Sequence, residues 1–320
     1  MQHGGNIYQV SRETGIPENA IIDFSASINP LGLPSSVIVA VRKGISSLPN
    51  YPETYAETLV SCLGSYLRVD GGSLVCGNGS TELIYLIART LNPQKVMIPV
   101  PTFSEYERAC RLVRGVRVVY LPLKRSEDFD IDPARFIRAM KGCDMAFLCN
   151  PNNPTGRLVG RNALLEIIHA AGRMKCYLVI DEAFVEFCSG ETAVNDVAGN
   201  SHLIVLRSLT KFYALSGLRL GYGVFPPALA GLMRRYKEPW TVNTLAQRAG
   251  IVALQDEAYR ERSLRIMKQE KKLTERHYAQ LGFAYVPSSA NYYLVQMNNA
   301  PETVAFLQKK IMPLLLNHLS

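Results

Sequence analysis

Seven short apolar runs, set apart by longer amphipathic stretches, constrain this chain more than any other feature. They are Ser73–Cys76 (SLVC), Val96–Val100 (VMIPV), Val116–Leu121 (VRVVYL), Met145–Cys149 (MAFLC), Tyr177–Ile180 (YLVI), Leu203–Leu206 (LIVL) and Leu220–Phe225 (LGYGVF). Runs this short read as buried strands. Between them, stretches such as TELIYLIARTL (81–91) and RNALLEIIHAAGRM (161–174) carry a helical period. Strand, helix, strand, repeated, predicts an α/β fold with a mostly parallel sheet covered on both faces. Such sheets hold their ligands at the carboxyl ends of the strands. With 320 residues the chain suits a large domain plus a smaller one.

The strand ends are therefore where chemistry is to be sought. After the first run stands GNGSTE, Gly77–Glu82, with glycines for a tight turn and Ser80 and Thr81 suited to a helix start. A helix N-terminus with free N–H groups binds anions; a plain helix cap explains the same residues. After the fourth stands NPNNPTG, Asn150–Gly156, a turn forced by two prolines and a glycine and carrying three asparagines. It reads as an ordinary turn or as a cluster of amide donors. After the fifth stands DEAFVEF, where Asp181 follows four buried-type residues. A buried carboxylate needs a cationic partner, either a structural arginine or a protonated ring nitrogen. After the sixth stands SLTKFYALSGLRLGYG, Ser208–Gly223. Lys211 there is a snorkelling surface lysine or a poorly solvated amine, and a poorly solvated amine loses its proton more readily and attacks aldehydes. Arg219 follows eight residues later. A ligand with an aldehyde, a basic ring nitrogen and a phosphate would use all of these groups, and pyridoxal 5'-phosphate is that ligand.

Charge and cysteines narrow the class. The net charge is +8, but the bases are scattered (Arg111, Arg114, Arg117, Arg234, Arg235, Lys268, Lys271 and Lys272 among them) and form no long block. That fits a solvated basic surface or attraction of anionic small molecules; no nucleic-acid motif accompanies it. Seven cysteines, irregularly spaced and without a CxxC pair, predict buried thiols in a reducing cytoplasm and neither a disulfide framework nor a metal site. The start MQHGGNIYQV lacks the basic and apolar segments of a signal peptide, and no apolar run reaches membrane-spanning length, so no membrane partner is expected.

The ordered set GNGSTE, PTFSEY, NPNNPTG, DEAFVEF and SLTKFYALSGLRLGY resembles fold-type I pyridoxal-phosphate enzymes, close to the histidinol-phosphate aminotransferases. The resemblance covers about residues 3–311 and implies the pyridoxal-phosphate transferase fold. It implies that Lys211 binds the cofactor's aldehyde and that Asp181 pairs with the ring N–H. It places Asn153 on the ring hydroxyl, Gly79, Ser80, Ser208 and Arg219 around the phosphate, and Phe103 on the ring face. Tyr51, in NYPE, matches a tyrosine that reaches the phosphate of a neighbouring subunit, so a homodimer with shared active sites is implied.

A narrower likeness lies at the N-terminus. HGGNI (His3–Ile7) and IIDFSASINPLGLP (Ile21–Pro34) resemble the threonine-phosphate decarboxylases of cobalamin biosynthesis more than the aminotransferases. In that family His3 and Gly4 match substrate-phosphate contacts. Asn153 also belongs to the substrate set, and Ser27 stands where asparagine is common, so one contact is altered. Phe184 replaces a tyrosine that many aminotransferases aim at the ring oxygen. The implied reaction is decarboxylation of O-phospho-L-threonine to (R)-1-amino-2-propanol phosphate, with an aminotransferase as the alternative. The resemblance fades at Ile311, and the last arginine is Arg276. The family's C-terminal arginines for substrate carboxylate and phosphate are therefore expected to be missing from a truncated end, with turnover impaired or catalysis inefficient. The expected organisation is an N-terminal arm over 1–35 contributing to the substrate site, a large cofactor-binding domain over 36–250, and a small incomplete α+β domain over 251–320.

Overall fold

A computed structural model describes residues 4–188 and 192–310. All seven apolar runs are strands: β1 Leu74–Asn78, β2 Lys95–Val100, β3 Arg117–Pro122, β4 Met145–Cys149, β5 Tyr177–Asp181, β6 Leu203–Ser208 and β7 Leu220–Val224. They form one sheet in the order β1-β7-β6-β5-β4-β2-β3. The pairs from β6 to β3 are parallel, and β7 runs antiparallel to both of its neighbours. A short second sheet pairs β8 Tyr285–Val286 with β9 Leu294–Val295.

Successive residues of a strand point to opposite faces, and here both faces are buried. In β4, Met145, Phe147 and Cys149 join one apolar cluster while Ala146 and Leu148 join the other. β6 divides likewise, Ile204 and Leu206 against Leu203 and Val205. Helices supply the covers. Ser80–Leu91 buries Leu83, Ile84, Leu86 and Ile87 and stops at Asn92, which takes the left-handed conformation (φ 46°). Arg161–Met174 buries Leu164, Ile167, Ile168, Ala170 and Ala171. Each such leucine or isoleucine, fully withdrawn from water, contributes about 1.5–3 kcal/mol.

Contact density divides the chain into two units. The larger comprises residues 28–274 and 286–294 and contains the seven-stranded sheet. The smaller comprises 1–27, 275–285 and 295–320. In it, Asn6 caps the helix Ile7–Thr14 by accepting from the Gln9 N–H (3.1 Å), and Gly15, at φ 71°, ends that helix. The Gly5 N–H donates to Ser25 Oγ (2.7 Å), and Ser25 donates in turn to Asp23 Oδ1 (2.5 Å). Residues 311–320, where the departure from the family pattern was read, lie outside the described residues.

Candidate active site

The parallel register brings Cys149, Asp181 and Leu206 level on adjacent strands. β7 completes the edge, setting Gly221 opposite both Ser208 and Gly77. Because β7 is antiparallel, its first residues meet the same edge as the last residues of the others. Arg219, immediately before β7, thus arrives beside the turn at the end of β1.

That turn is shaped by glycine. Gly79 has φ 78° and ψ 159°, and a Cβ there would lie 2.6 Å from the Arg219 guanidinium. A Cβ on Gly221 would lie 2.3 Å from the Ser80 nitrogen, so β7 passes against the turn at a distance only glycine allows. Ser80 opens the helix Ser80–Leu91, whose N-cap is Gly79 and carries no side-chain cap. Glu82 instead accepts from the Asn78 N–H (2.5 Å). Arg219 is exposed and sits at φ 57°, and among the described residues its guanidinium donates one long bond, to the Ser216 carbonyl (3.4 Å). Ser208 is buried, its hydroxyl 2.6 Å from that of Thr210.

Asp181 is 3% exposed. Its Oδ2 accepts from the Tyr106 hydroxyl (2.8 Å) and its Oδ1 from the Ala183 N–H (3.0 Å), and no lysine or arginine forms an ion pair with it among the described residues. Burial pushes its carboxyl up to about 6, against the pull of those two donors. Burial likewise pushes the neighbouring Cys149 thiol up to about 12. Lys211 is half-buried, with Nζ 5.8 Å from the centre of the Phe184 ring. Its backbone carbonyl accepts from the N–H of Asn29, a buried residue whose own amide donates to the Phe212 carbonyl and to Ser263 (2.8 Å each).

The three asparagines of NPNNPTG divide. Asn150 Oδ1 accepts from the Val159 N–H (2.8 Å). Asn152 bonds Thr102 (2.7 Å), the Pro101 carbonyl (3.0 Å) and Thr155 (3.0 Å). Both hold the turn together. The Asn153 side chain is half-buried and makes no hydrogen bond to protein among the described residues. Phe103 is half-buried, edge-on to Tyr106 at 5.6 Å. Tyr51 is 82% exposed and rests on Trp240 (5.2 Å between rings).

Among the proposed substrate contacts, His3 lies outside the described residues. Gly4 packs so closely that a Cβ would lie 2.3 Å from the Ser25 carbonyl oxygen. The HGGN and FSAS segments therefore meet, two residues short of the half-buried Ser27. Sequence reasoning assigned nothing to three residues that border this site. Tyr106 closes the PTFSEY motif, and that motif was its only signal. Asn29, in SINP, had a motif but no chemistry to mark it. Tyr292, whose hydroxyl donates to the Asn152 carbonyl (3.0 Å) and whose ring meets Phe184 edge-on (4.9 Å), had neither.

The model of the aminotransferase class I and II family matches residues 19–319, running past Ile311. A threonine-phosphate decarboxylase from Salmonella typhimurium is 38% identical over 297 residues, which are 92% of this chain and 81% of that protein. A histidinol-phosphate aminotransferase from Moorella thermoacetica is 33% identical over 317 residues, 96% of this chain and 80% of that one. The crystal structure of histidinol-phosphate aminotransferase from Sinorhizobium meliloti in complex with pyridoxal-5'-phosphate covers 100% of this chain and 90% of its own at a TM-score of 0.89. At 20% identity that last likeness speaks for the fold alone.

Proposed function

The chain belongs to the class I and II aminotransferase family, and from that premise we propose that it is a pyridoxal-phosphate-dependent decarboxylase of O-phospho-L-threonine, releasing (R)-1-amino-2-propanol phosphate for cobalamin biosynthesis. The observation that carries the cofactor reading is Asp181, a buried carboxylate with two neutral hydrogen-bond donors and no salt bridge among the described residues. A protonated pyridine nitrogen would supply a directly bonded positive charge. Two further features fit the same group. The glycine turn, the helix N-terminus without a side-chain cap and the Arg219 guanidinium form a cradle for a phosphate dianion. The Asn153 amide has no protein partner among the described residues and is available to the ring hydroxyl.

When bound, the cofactor supplies the electron sink for the bond that breaks at Cα. The protein's own residues do the rest. Asp181 holds a proton on the ring nitrogen. Lys211 would hold the cofactor's aldehyde through its amine, and that amine would serve to carry a proton to the substrate's Cα. Ser208, Ser80, the Gly79 turn and Arg219 anchor the phosphate, and Phe103 covers the ring. Gly4 and Ser27, with His3, are assigned to the substrate. The exposed Tyr51 is assigned to the active site of a second copy, making the enzyme a homodimer. Seven free cysteines, five of them buried, suit the cytoplasm.

Decarboxylation is preferred to transamination because Phe184, 4% exposed and next to the Lys211 amine, offers no hydroxyl to the ring oxygen. The relative that acts on threonine phosphate by its name is also the more similar of the two described above. Transamination of histidinol phosphate is the second reading, supported by the 33% identical aminotransferase. Carbon dioxide release from O-phospho-L-threonine, assayed beside transamination of histidinol phosphate with 2-oxoglutarate, separates them. Decarboxylation is expected. Efficient transamination without it overturns the choice. Borohydride reduction followed by peptide mapping is expected to find the cofactor on Lys211, and an adduct elsewhere overturns the assignment of the site.

A further inference from the structure

The Asp181 carboxylate is approached from every side by groups that oppose or favour its charge. Tyr106 comes from the helix Glu105–Cys110, Cys149 from the end of β4, Glu182 from its own chain, Lys211 from the segment after β6, and Tyr292 from the segment between β8 and β9. Glu182 and desolvation disfavour the anion, whereas Tyr106, the Ala183 N–H and Lys211 favour it. Cys149 remains a neutral thiol, and its S–H donates to the Pro151 carbonyl (3.3 Å). Of the side chains, Tyr106 alone touches Asp181 through a hydrogen bond among the described residues.

Tyr106 is built to hold that one bond. It is completely buried. Its ring lies flat against Phe147 (4.7 Å, 12° between planes) and edge-on to Phe103 (5.6 Å). Those contacts fix the ring, so the hydroxyl cannot swing away. Burial and the adjoining carboxylate hold the phenol well above its ordinary range, so it stays protonated and remains a donor. A phenol has one proton to donate, and it is directed to Asp181 Oδ2.

We infer that Tyr106 is a positioning residue for Asp181, holding the carboxylate ionised and in a single orientation, and so setting how tightly the apoprotein takes up its cofactor. The inference rests on the pyridoxal-phosphate reading above for its second half; the first half concerns two side chains alone. A neutral Asp181 cannot form an ion pair with a pyridinium nitrogen. Without the Tyr106 hydroxyl the Ala183 N–H would be the one hydrogen-bond donor left to the anion among the described residues, beside the Lys211 charge, and Asp181 would keep its proton to a higher pH.

The test is a double-mutant cycle on the apoprotein: wild type, Tyr106→Phe, Asp181→Asn and the double variant, unfolded by urea at pH 4 and pH 8. Tyr106→Phe keeps the ring and its stacking, so a packing role would cost the same at both pH values. The expected result is a Tyr106→Phe penalty that grows about tenfold in the folding equilibrium constant from pH 4 to pH 8, in line with the strength of a hydrogen bond to a charged group. In the Asp181→Asn background the penalty is expected to be independent of pH. A penalty independent of pH in both backgrounds overturns the inference. Should Tyr106→Phe alone fail to fold at pH 8 but fold at pH 4, and the double variant fold at both, the coupling is supported.

Pyridoxal phosphate is then titrated into wild type and Tyr106→Phe from pH 5.5 to 8.5 by absorbance. The pH midpoint of binding is expected to rise by about one unit in the variant, with affinity about tenfold weaker below the wild-type midpoint near pH 6 and converging on wild type toward pH 8.5. Coincident profiles overturn the effect on cofactor uptake. A wild-type protein that takes up no pyridoxal phosphate refutes the cofactor reading, and with it the second half of the inference, while the apoprotein cycle still decides the first.

Discussion

Two carboxylates stand side by side at the end of β5 and point to opposite faces of the sheet. Glu182, 1% exposed, accepts from Arg207 (2.8 Å), Thr192 (2.8 Å) and the Ala193 N–H (2.7 Å). Arg207 also donates to Glu186 (2.6 Å) and to Thr192 (2.9 Å). Asp181, equally hidden from water, has two neutral hydrogen-bond donors and, among the described residues, no salt bridge, although the Lys211 charge acts on it. One face therefore bonds its carboxylate directly to a cation, and the other does not. Burial raises both carboxyls; for Glu182, Arg207 and two further hydrogen-bond donors, the Ala193 N–H and Thr192, oppose that rise. The difference separates a carboxylate tied to a neighbouring strand from one that the proposed function assigns to a ligand, and depth of burial alone would not have told them apart.

The comparison can be broken most forcefully at Arg207. Arg207→Ala leaves Glu182 and Glu186 buried without their shared cation, and removing one partner of a buried pair costs about 3–5 kcal/mol. Urea denaturation at pH 7.5 is expected to show a loss of that size; a loss under about 1 kcal/mol would mean that Glu182 is no better satisfied than Asp181.

Asp181→Asn acts in the opposite direction. The folded-state value, about 6, lies above the ordinary 3.8. A raised carboxyl favours the folded apoprotein below its unfolded value, and that advantage is lost as pH rises through the folded one. Wild type should therefore lose stability between about pH 3.8 and 6 that the asparagine variant keeps. At 1.36 kcal/mol per unit the variant gains up to about 3 kcal/mol above pH 6 and nothing below pH 4. Cofactor binding should weaken in the same variant. Equal stability of the two apoproteins at pH 8 would contradict the account of Asp181.

The smallest effect belongs at the surface. Arg89 and Glu238 form a bidentate pair (2.7 Å for both bonds), with bonds as short as those of Arg207 but with side chains 48% and 59% exposed. The Arg89 hydrogen bonds hold the Glu238 carboxyl down to about 2. A lowered carboxyl contributes stability above its unfolded value, near 4.5, that is lost as pH falls toward 2. Solvent screening keeps that contribution under about 1 kcal/mol. Arg89→Gln, compared with Arg207→Ala in the same titration, sets an exposed bidentate pair against a buried arginine shared by two carboxylates.

Much of this was legible in the chain. Short apolar runs separated by helical periods located all seven strands to within two residues; the central strands, buried on both faces, carry little polar interruption, whereas the edge strand β3 is partly exposed and holds Arg117. The runs of β6 and β5 extend to Ser208 and Asp181, polar residues that an apolar pattern places outside the strand. The direction of β7 was not legible, since periodicity carries no sense of direction. Nor was the division of labour within NPNNPTG, where three identical side chains differ only in what tertiary packing sets beside them. Tyr106, Tyr292 and Arg207 were missed for one reason: each acts on a residue distant in sequence, 75 positions away for Tyr106 and Asp181.

The antiparallel course of β7 also has a consequence in time. Asn78 and Leu220 are partners in the sheet, yet more than a hundred residues separate them along the chain. At a synthesis rate of about 5–20 residues per second, the second half of the phosphate cradle leaves the ribosome on the order of ten seconds after the first. Through that interval the nascent chain exposes β1 with its glycine turn but has neither Arg219 nor Gly221 to close it. Lys211 emerges shortly before them. On the proposed assignment, the amine and the phosphate-anchoring residues are thus completed last and almost together, and a nascent chain would not retain the cofactor until its sheet has found its final strand.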